Sequence, residues 1–299
     1  MKRFLIATNY TKDNNLILTK KLEEYIDKLG GTSMRIVGAK DNDGLSKDVS
    51  YSVNDAESYD CIIALGGDGT ILKVNRDLRQ YNIPIVGVNL GTMGFLTEVE
   101  PEQIKPVVKR LMADDYSVEE RMNIKGCVYK AGSKSPALTD ISLNDIVITR
   151  AGFSRVIGLK VSVGGKLLEN YEADGVIVAS PTGSTGYNLS AGGPIVSPKA
   201  HNIIITPISP HSLTSKSIVL TSEDEIEIEI LKMRKAQEDE ALISYDGQPG
   251  MKLSPGDKVV IGKASESTRM IKLFDPSFYE VLRNKIANKQ VNYEREETE

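Results

Sequence analysis

Residues 61–72 read CIIALGGDGTIL: an apolar run, two glycines, an acid and a third glycine, then apolar residues again. Cys61–Leu65 has the length and composition of a buried strand, and Thr70–Leu78 the spacing of a helix. Strand, glycine turn and helix in that order form one half of a βα unit. Such a turn presents backbone N–H groups at a helix N-terminus, a place that favours phosphate. Neither the dinucleotide fingerprint nor the P-loop is met, because the glycine spacing differs and no Gly-Lys-Ser/Thr closes the turn. Asp68 is the awkward residue. It either caps the following helix or has a chemical task that a phosphate loop does not explain.

The pattern repeats on both sides. Phe4–Ala7 predicts a first strand. Lys12–Leu29, with Leu18, Leu22, Tyr25, Ile26 and Leu29 on one stripe, predicts a helix that Gly30-Gly31 stops. Met34–Val37 is a second strand, 39–58 lacks periodicity, and Ile83–Val88 is a fourth strand after Cys61–Leu65. Pro101–Met112 is helical, with Pro106 kinking it or delaying its start. Alternating strands and helices predict a Rossmann-like parallel sheet with helices on both faces. After Ser117 short β-branched runs take over: 146–148, 159–163, 176–179, 203–206, 225–230 and 259–261. Gly-Gly, Asp-Gly and Pro-Gly pairs separate them. DEIEIEIL (224–231) alternates strictly, as a half-exposed strand does. The expected organisation is an α/β domain over 1–115, a β-rich domain over 116–275 and a helical segment over 276–299.

Composition excludes several function classes. With 26% charged residues, a net charge of −4 and no basic stripe interleaved with aromatics, a nucleic-acid partner is not expected. No stretch of eighteen apolar residues occurs, so no membrane partner is expected. The apolar start, Phe4–Ala7, is too short for a signal peptide, so a cytoplasmic location is expected. Cys61 and Cys127 read as two reduced thiols, and His201 and His211 lack metal-ligand spacing. The acidic end, 293–299, reads as a solvated tail.

A second stretch carries chemistry. SPTGSTGYNLSAGGP (180–194) follows the apolar run 176–178 and is built of glycines and hydroxyls up to Tyr187. Small side chains let a ligand approach the backbone, and hydroxyls with free amides supply neutral donors. Tyr187 could then cover an aromatic base. Asn144-Asp145 stands at a strand mouth and Asp174-Gly175 and Asp246-Gly247-Gln248 read most simply as turns. Lys73 and Arg155, taken singly, read as solvated cations.

Taken together these stretches resemble the NAD kinase family. GGDGT (66–70), GVNLGTMGFL (87–96), NDIVI (144–148), ADGVIVASPTGSTGYNLSAGGPIVSP (173–198), PISPHSLTSKSIVL (207–220) and DGQ (246–248) follow in family order. GGDG alone also occurs in lipid kinases and phosphofructokinases, whereas the long glycine-hydroxyl motif is specific. The resemblance implies transfer of the γ-phosphoryl group of ATP to the 2′-hydroxyl of the adenosine ribose of NAD. It implies Mg²⁺ or another divalent metal arriving with ATP and no protein-held metal. It also implies an active site in the cleft between two domains, a C-terminal segment packed on the first domain, and a homodimer or homotetramer.

By the same resemblance Asp68 takes or orients the proton of the attacking hydroxyl, and Gly66, Gly67, Gly69 and Thr70 hold phosphate. Asn144, Asp145 and Asp174 contact NAD, and Thr185, Gly186, Tyr187, Asn188 and Ser190 line its adenine and ribose pocket. Asp68, Gly69, Lys73, Arg155 and Gln248 match further NAD contacts. Three positions depart from the family. Asp145 replaces a usual glutamate, Gly186 a usual alanine, and Glu172 an arginine found in many members. Two other functions fit parts of the sequence. One is a lipid kinase, which would need a wide apolar pocket. The other is a dinucleotide sensor without chemistry, against which the intact GGDGT stands.

Overall fold

The computed structural model describes residues 1–37, 53, 55–91, 94–152, 156–212, 214–233, 241–274 and 278–283. They form two compact units, Met1–Glu120 with Thr268–Glu299, and Arg121–Ser267.

In the first unit the strands are β1 (Arg3–Thr8), β2 (Thr32–Val37), β3 (Cys61–Gly66) and β4 (Ile85–Asn89), all parallel in the order β2-β1-β3-β4. The helices are α1 (Ile17–Lys28), α2 (Asp68–Leu78) and α3 (Ile104–Met112). Buried Phe4, Ile6, Ile63 and Leu65 pack with Leu22 and Ile26 of α1 and Val107 and Leu111 of α3. Ile71 of α2 meets β4 at Gly87, where an added Cβ would lie 2.5 Å from its Cδ1. Gly87 alternates with Val86 and Val88 of that first cluster, so α2 covers the opposite face. Both faces are therefore dry, which is why these strands read as continuous apolar runs and not as alternations.

Two helices begin later than the segments expected from the sequence. The α1 stripe begins later than Lys12, because Asn15 and Leu16 sit at φ 58°. The Asp13 carboxylate accepts the N–H groups of Leu18 and Thr19 at 3.0 and 2.9 Å and so starts the helix. Pro106 is the third residue of α3, which starts only at Ile104 after a tighter turn over Pro101–Gln103. The start is thus delayed as expected, and the missing N–H had no helical partner to lose. The aperiodic stretch 39–58 lies almost entirely outside the described residues, as does the acidic tail.

The second unit contains β5 (Ser117–Tyr129), β6 (Leu138–Ser142), β7 (Asp145–Arg150), β8 (Ile157–Val163), β9 (Lys166–Ala173), β10 (Gly175–Ala179), β11 (Asn202–Ile208) and β12 (Ile218–Thr221). Four more follow: β13 (Ile226–Leu231), β14 (Ala241–Tyr245), β15 (Gln248–Leu253) and β16 (Lys258–Lys272). Residues 117–120 of β5 and 268–272 of β16 belong to the first unit, where Met270 pairs Ile85 in parallel. One layer runs β16-β13-β8-β9. The other runs β12-β11-β10-β7-β14-β15, antiparallel throughout.

Between them lies one apolar cluster, with Leu159, Val161, Ile226 and Ile228 from the first layer and Ile146, Ile148, Val176, Val178 and Ile205 from the second. Burying each such side chain contributes about 1.5–3 kcal/mol. The alternation at 226–231 takes the expected form. Its isoleucines are buried, and Glu227 and Glu229 meet Lys258 and Lys160 at 3.0 and 3.7 Å.

Candidate active site

Two groups of residues stand out, one in each unit. In the first, the chain leaves the C-terminal ends of β1, β3 and β4 in three adjacent loops. Gly66 ends β3 because a Cβ there would lie 2.0 Å from Thr70 Oγ1, and Thr70 itself is buried. Gly69 differs. Nothing lies within 4 Å of where its Cβ would be, so nothing in the protein itself requires a glycine there. Gly67 and Gly91 share a neighbour absent from the sequence reading, Lys12, whose Nζ would lie 3.1 and 2.9 Å from their Cβ positions. Lys73 stands one turn beyond Gly69 on α2.

Asp68 does not cap α2. It is the first residue of that helix, and its carboxylate reaches away to the loop after β4. One oxygen accepts the Phe95 N–H at 2.8 Å, and the other accepts those of Leu96 and Thr97 at 3.0 and 3.4 Å. A carboxylate offers about four lone-pair sites, so one remains for an incoming donor. Gly94 makes this approach possible, because a Cβ there would lie 1.7 Å from Asp68 Oδ1. The GGDGT and GVNLGTMGFL stretches are thus two sides of one contact. Nothing in the sequence separates Gly94 from the neighbouring glycines; only its place against Asp68 does.

In the second unit three loops meet at one end of the β12–β15 layer: 143–144 before β7, 180–186 after β10, and the turn 246–247 between β14 and β15. Register brings them together, with Asp145 opposite Ala179 and Ile146 opposite Tyr245. Asp246 and Gly247 sit at φ 49° and 75°, so this Asp-Gly is the two-residue hairpin that its sequence signals. Asp174-Gly175 is a corner between the two layers and not a hairpin. Gly175 is required there because a Cβ would lie 2.3 Å from the Ile148 carbonyl oxygen.

Every backbone polar group of 143–145 is satisfied from within. The three N–H groups go to the Asp246 carboxylate at 2.8, 2.7 and 3.1 Å. The Leu143 carbonyl accepts the Ser180 hydroxyl, that of Asn144 the Ser180 N–H at 2.8 Å, and that of Asp145 the Asp246 N–H at 3.0 Å. The side chains are left over. Asn144 Oδ1 is buried with no hydrogen-bond partner, a deficit that a bound water, ion or ligand can fill. Asp145 is only 5% exposed. Burial and the Asp246 charge push its carboxyl up to about 7. Both side chains flank Gly186, whose Cβ position is 3.4 Å from Asn144 Nδ2 and 3.7 Å from Asp145 Oδ2.

The remaining expected residues are distributed around this turn. Thr185, Gly186 and Tyr187 follow one another at its open side, Tyr187 being 45% exposed, and Ser190 is exposed at the end of α4 (Tyr187–Ser190). Asn188 is spent internally, donating to the Ser184 and Pro194 carbonyls at 3.1 Å each and accepting from Thr206 at 2.7 Å. Asp174 is paired with Arg150 at 2.6 Å, and Gln248 begins β15. Glu172 is exposed on β9, and Arg155 lies outside the described residues. Among the described residues no three acidic, histidine or cysteine side chains converge on one point, so no protein-held metal site is assigned.

A phosphate-type glycine turn beside a held aspartate, with a glycine-hydroxyl turn against Asn144 and Asp145 in a β-rich unit, defines a two-domain nucleotide phosphotransferase. Residues 5–116 match the ATP-NAD kinase N-terminal domain and residues 143–273 the ATP-NAD kinase C-terminal domain. The chain is 46% identical over 289 residues to an NAD kinase of Lachnoclostridium phytofermentans, covering 97% of this chain and 100% of that one. It is 45% identical to an NAD kinase of Agathobacter rectalis, covering 96% and 99%. A solved NAD kinase from Archaeoglobus fulgidus in complex with ATP superimposes with a TM-score of 0.72 at 26% identity, covering 93% of this chain and 98% of that one. Yeast NADH kinase complexed with NADH shares the fold, with a TM-score of 0.82 at 23% identity, covering 96% and 88%. The chain belongs to the NAD kinase family.

Proposed function

We propose that this enzyme transfers the γ-phosphoryl group of ATP to the 2′-hydroxyl of the adenosine ribose of NAD, giving NADP. The observation that carries the acceptor half is the turn 143–145. Its backbone is fully satisfied while Asn144 Oδ1 and the Asp145 carboxylate remain for a ligand. A ribose offers vicinal hydroxyls to such a pair, and the small residues at 183–186 admit an adenosine against the backbone. Thr185, Gly186, Tyr187 and Ser190 line that pocket. Asn188 is fully buried, with its side chain spent internally and its carbonyl accepting the Gly193 N–H at 2.8 Å, so it holds the shape of the loop and does not touch the ligand. Asp174, Lys73, Arg155 and Gln248 complete the NAD contacts.

In this reading Asp68 uses its remaining lone pair to orient the attacking hydroxyl and take its proton as the bond to phosphorus forms. The loop amides of 95–97 keep that oxygen from rotating away. Gly66, Gly67, Gly69 and Thr70 offer backbone N–H groups to the donor phosphates at the start of α2, and Lys12 adds positive charge beside them. The divalent ion belongs to the donor, entering with the triphosphate and offsetting its charge. A homodimer or homotetramer and a cytoplasmic location belong to the same proposal. No helix among the described residues is long and apolar enough to cross a membrane.

The test is direct. Purified protein with Mg-ATP and NAD is assayed for NADP with an NADP-specific dehydrogenase. Asp68→Asn should lower turnover roughly 100- to 10,000-fold, the range of a lost general base, with NAD affinity within a few fold. Absence of NADP alongside demonstrated NAD binding would make the protein a dinucleotide sensor. Unchanged turnover in Asp68→Asn would remove the proton-accepting role.

A further inference from the structure

Asp246 sits in a turn, but a turn alone does not explain it. The two-residue hairpin needs φ above zero at 246, which Asn tolerates as readily as Asp. What Asn cannot supply is a second acceptor oxygen. Three consecutive N–H groups converge on the Asp246 carboxylate. Oδ2 takes Leu143 at 2.8 Å, and Oδ1 takes Asn144 at 2.7 Å and Asp145 at 3.1 Å. The Asp246 N–H returns to the Asp145 carbonyl at 3.0 Å. The opposite edge of the same tripeptide is held by Ser180, so the segment is gripped from both sides.

We infer that Asp246 is a positioning residue for the acceptor: its carboxylate fixes the 143–145 backbone so that the Asn144 and Asp145 side chains point at the ribose. This rests on the reading of Asn144 and Asp145 as acceptor ligands. A segment gripped through every N–H and C=O cannot turn its side chains inward to satisfy themselves, and Asn144 Oδ1 remains unpartnered. The enzyme thus pre-organises the pocket before the ligand arrives.

The same contact sets the charge of the pocket. Two carboxyl groups are held close in a poorly hydrated place. Burial, with the Asp246 charge, raises Asp145 to about 7. Burial also raises Asp246 to about 6, with Asp140 adding to it, against the opposing pull of the three N–H groups. The further charged group acting on the pair is Asp140 on β6, and Arg121 on β5 reaches the 180–186 turn, its Nη1 3.5 Å from Thr182 Oγ1. The turn 180–186 contributes no ionisable side chain. A ribose hydroxyl donates best to ionised Asp145, so NAD affinity should rise with pH through about 7. Removing the Asp246 charge should move that inflection toward acid.

The experiment is calorimetric titration of NAD into the full-length protein from pH 5.5 to 8.5, for the parent, Asp246→Asn and Asp145→Asn. The parent should show the inflection, and Asp145→Asn should lose it. Asp246→Asn should bind about tenfold more weakly at pH 8, the scale of one lost charge-assisted hydrogen bond, with its inflection shifted to lower pH. In steady state its KM for NAD should rise while kcat and the KM for ATP stay within a few fold. If Asp246→Asn does not fold, Asp246→Glu keeps the charge and displaces the oxygens. It should bind more weakly with the parent's inflection. Parental affinity in the Asp246 variant that folds overturns the proposal, and so does an unmoved inflection in Asp246→Asn. Parental affinity and inflection in Asp145→Asn would instead sink the acceptor reading on which it rests.

Discussion

At the scale of single residues, the informative positions are those where the protein leaves a polar atom unserved. Asp68 has one acceptor site left after the 95–97 amides are served, and Asn144 has an oxygen with nothing to accept from. Both are groups whose bonding a substrate would complete. Lys12 belongs with them, although nothing near it in the sequence marks it. A lysine in a polar loop is ordinarily a solvated cation, and only the fold brings its Nζ beside Gly67 and Gly91. Lys12→Ala should raise the KM for ATP about 2- to 5-fold, as loss of one exposed charge contact does. The KM for NAD should stay within twofold. Steady-state kinetics with each substrate varied checks this, and an unchanged KM for ATP would return Lys12 to the solvent.

At the scale of elements, the two glycine-rich stretches of the first unit act as one device. The strand ends of β3 and β4 are adjacent in a parallel sheet, so the loops that follow them are adjacent too. One supplies the carboxylate and the other the amides. The glycines divide accordingly into those that the protein needs for packing and those it does not. Gly94→Ala would thrust a methyl group to 1.7 Å from Asp68 Oδ1 and 2.7 Å from Thr97 Oγ1. It should cost about 1–3 kcal/mol of stability by overpacking and lower turnover at least as much as Asp68→Asn. Gly69→Ala meets open space and should leave the melting temperature unchanged while weakening ATP. Thermal melts paired with kinetics separate the two, and a harmless Gly94→Ala would dissolve the link between the loops. None of this was legible in the sequence, where Gly66, Gly67, Gly69 and Gly94 look alike. The element types themselves were legible, because fully buried strands, an alternating strand and Asp-Gly turns each leave a distinct pattern.

At the scale of the whole molecule, the buried carboxyl pair imposes a pH dependence on folding. Asp145 and Asp246 are raised to about 7 and about 6, above the ordinary 3.8. Between those values the folded protein holds protons that the unfolded chain has released, so stability falls as pH rises from about 4 through 7. The melting temperature should therefore drop between pH 5.5 and 8 on this account. Asp145→Asn should melt higher than the parent at pH 8, with the difference shrinking toward pH 5.5. Scanning calorimetry across that range tests it, and a variant that melts lower at every pH would refute it. On the proposed function, this stability is given up so that a dry carboxylate can receive a ribose hydroxyl. The sequence by itself determined the two-part architecture and the family, because strand and helix periods and contiguous glycine-hydroxyl runs are local properties of the chain. Which oxygen serves which amide was decided only by the tertiary structure. Asp68 and Phe95 lie 27 residues apart, and Asp246 and Leu143 lie 103 apart. Only the register of neighbouring strands brings such groups to hydrogen-bonding distance.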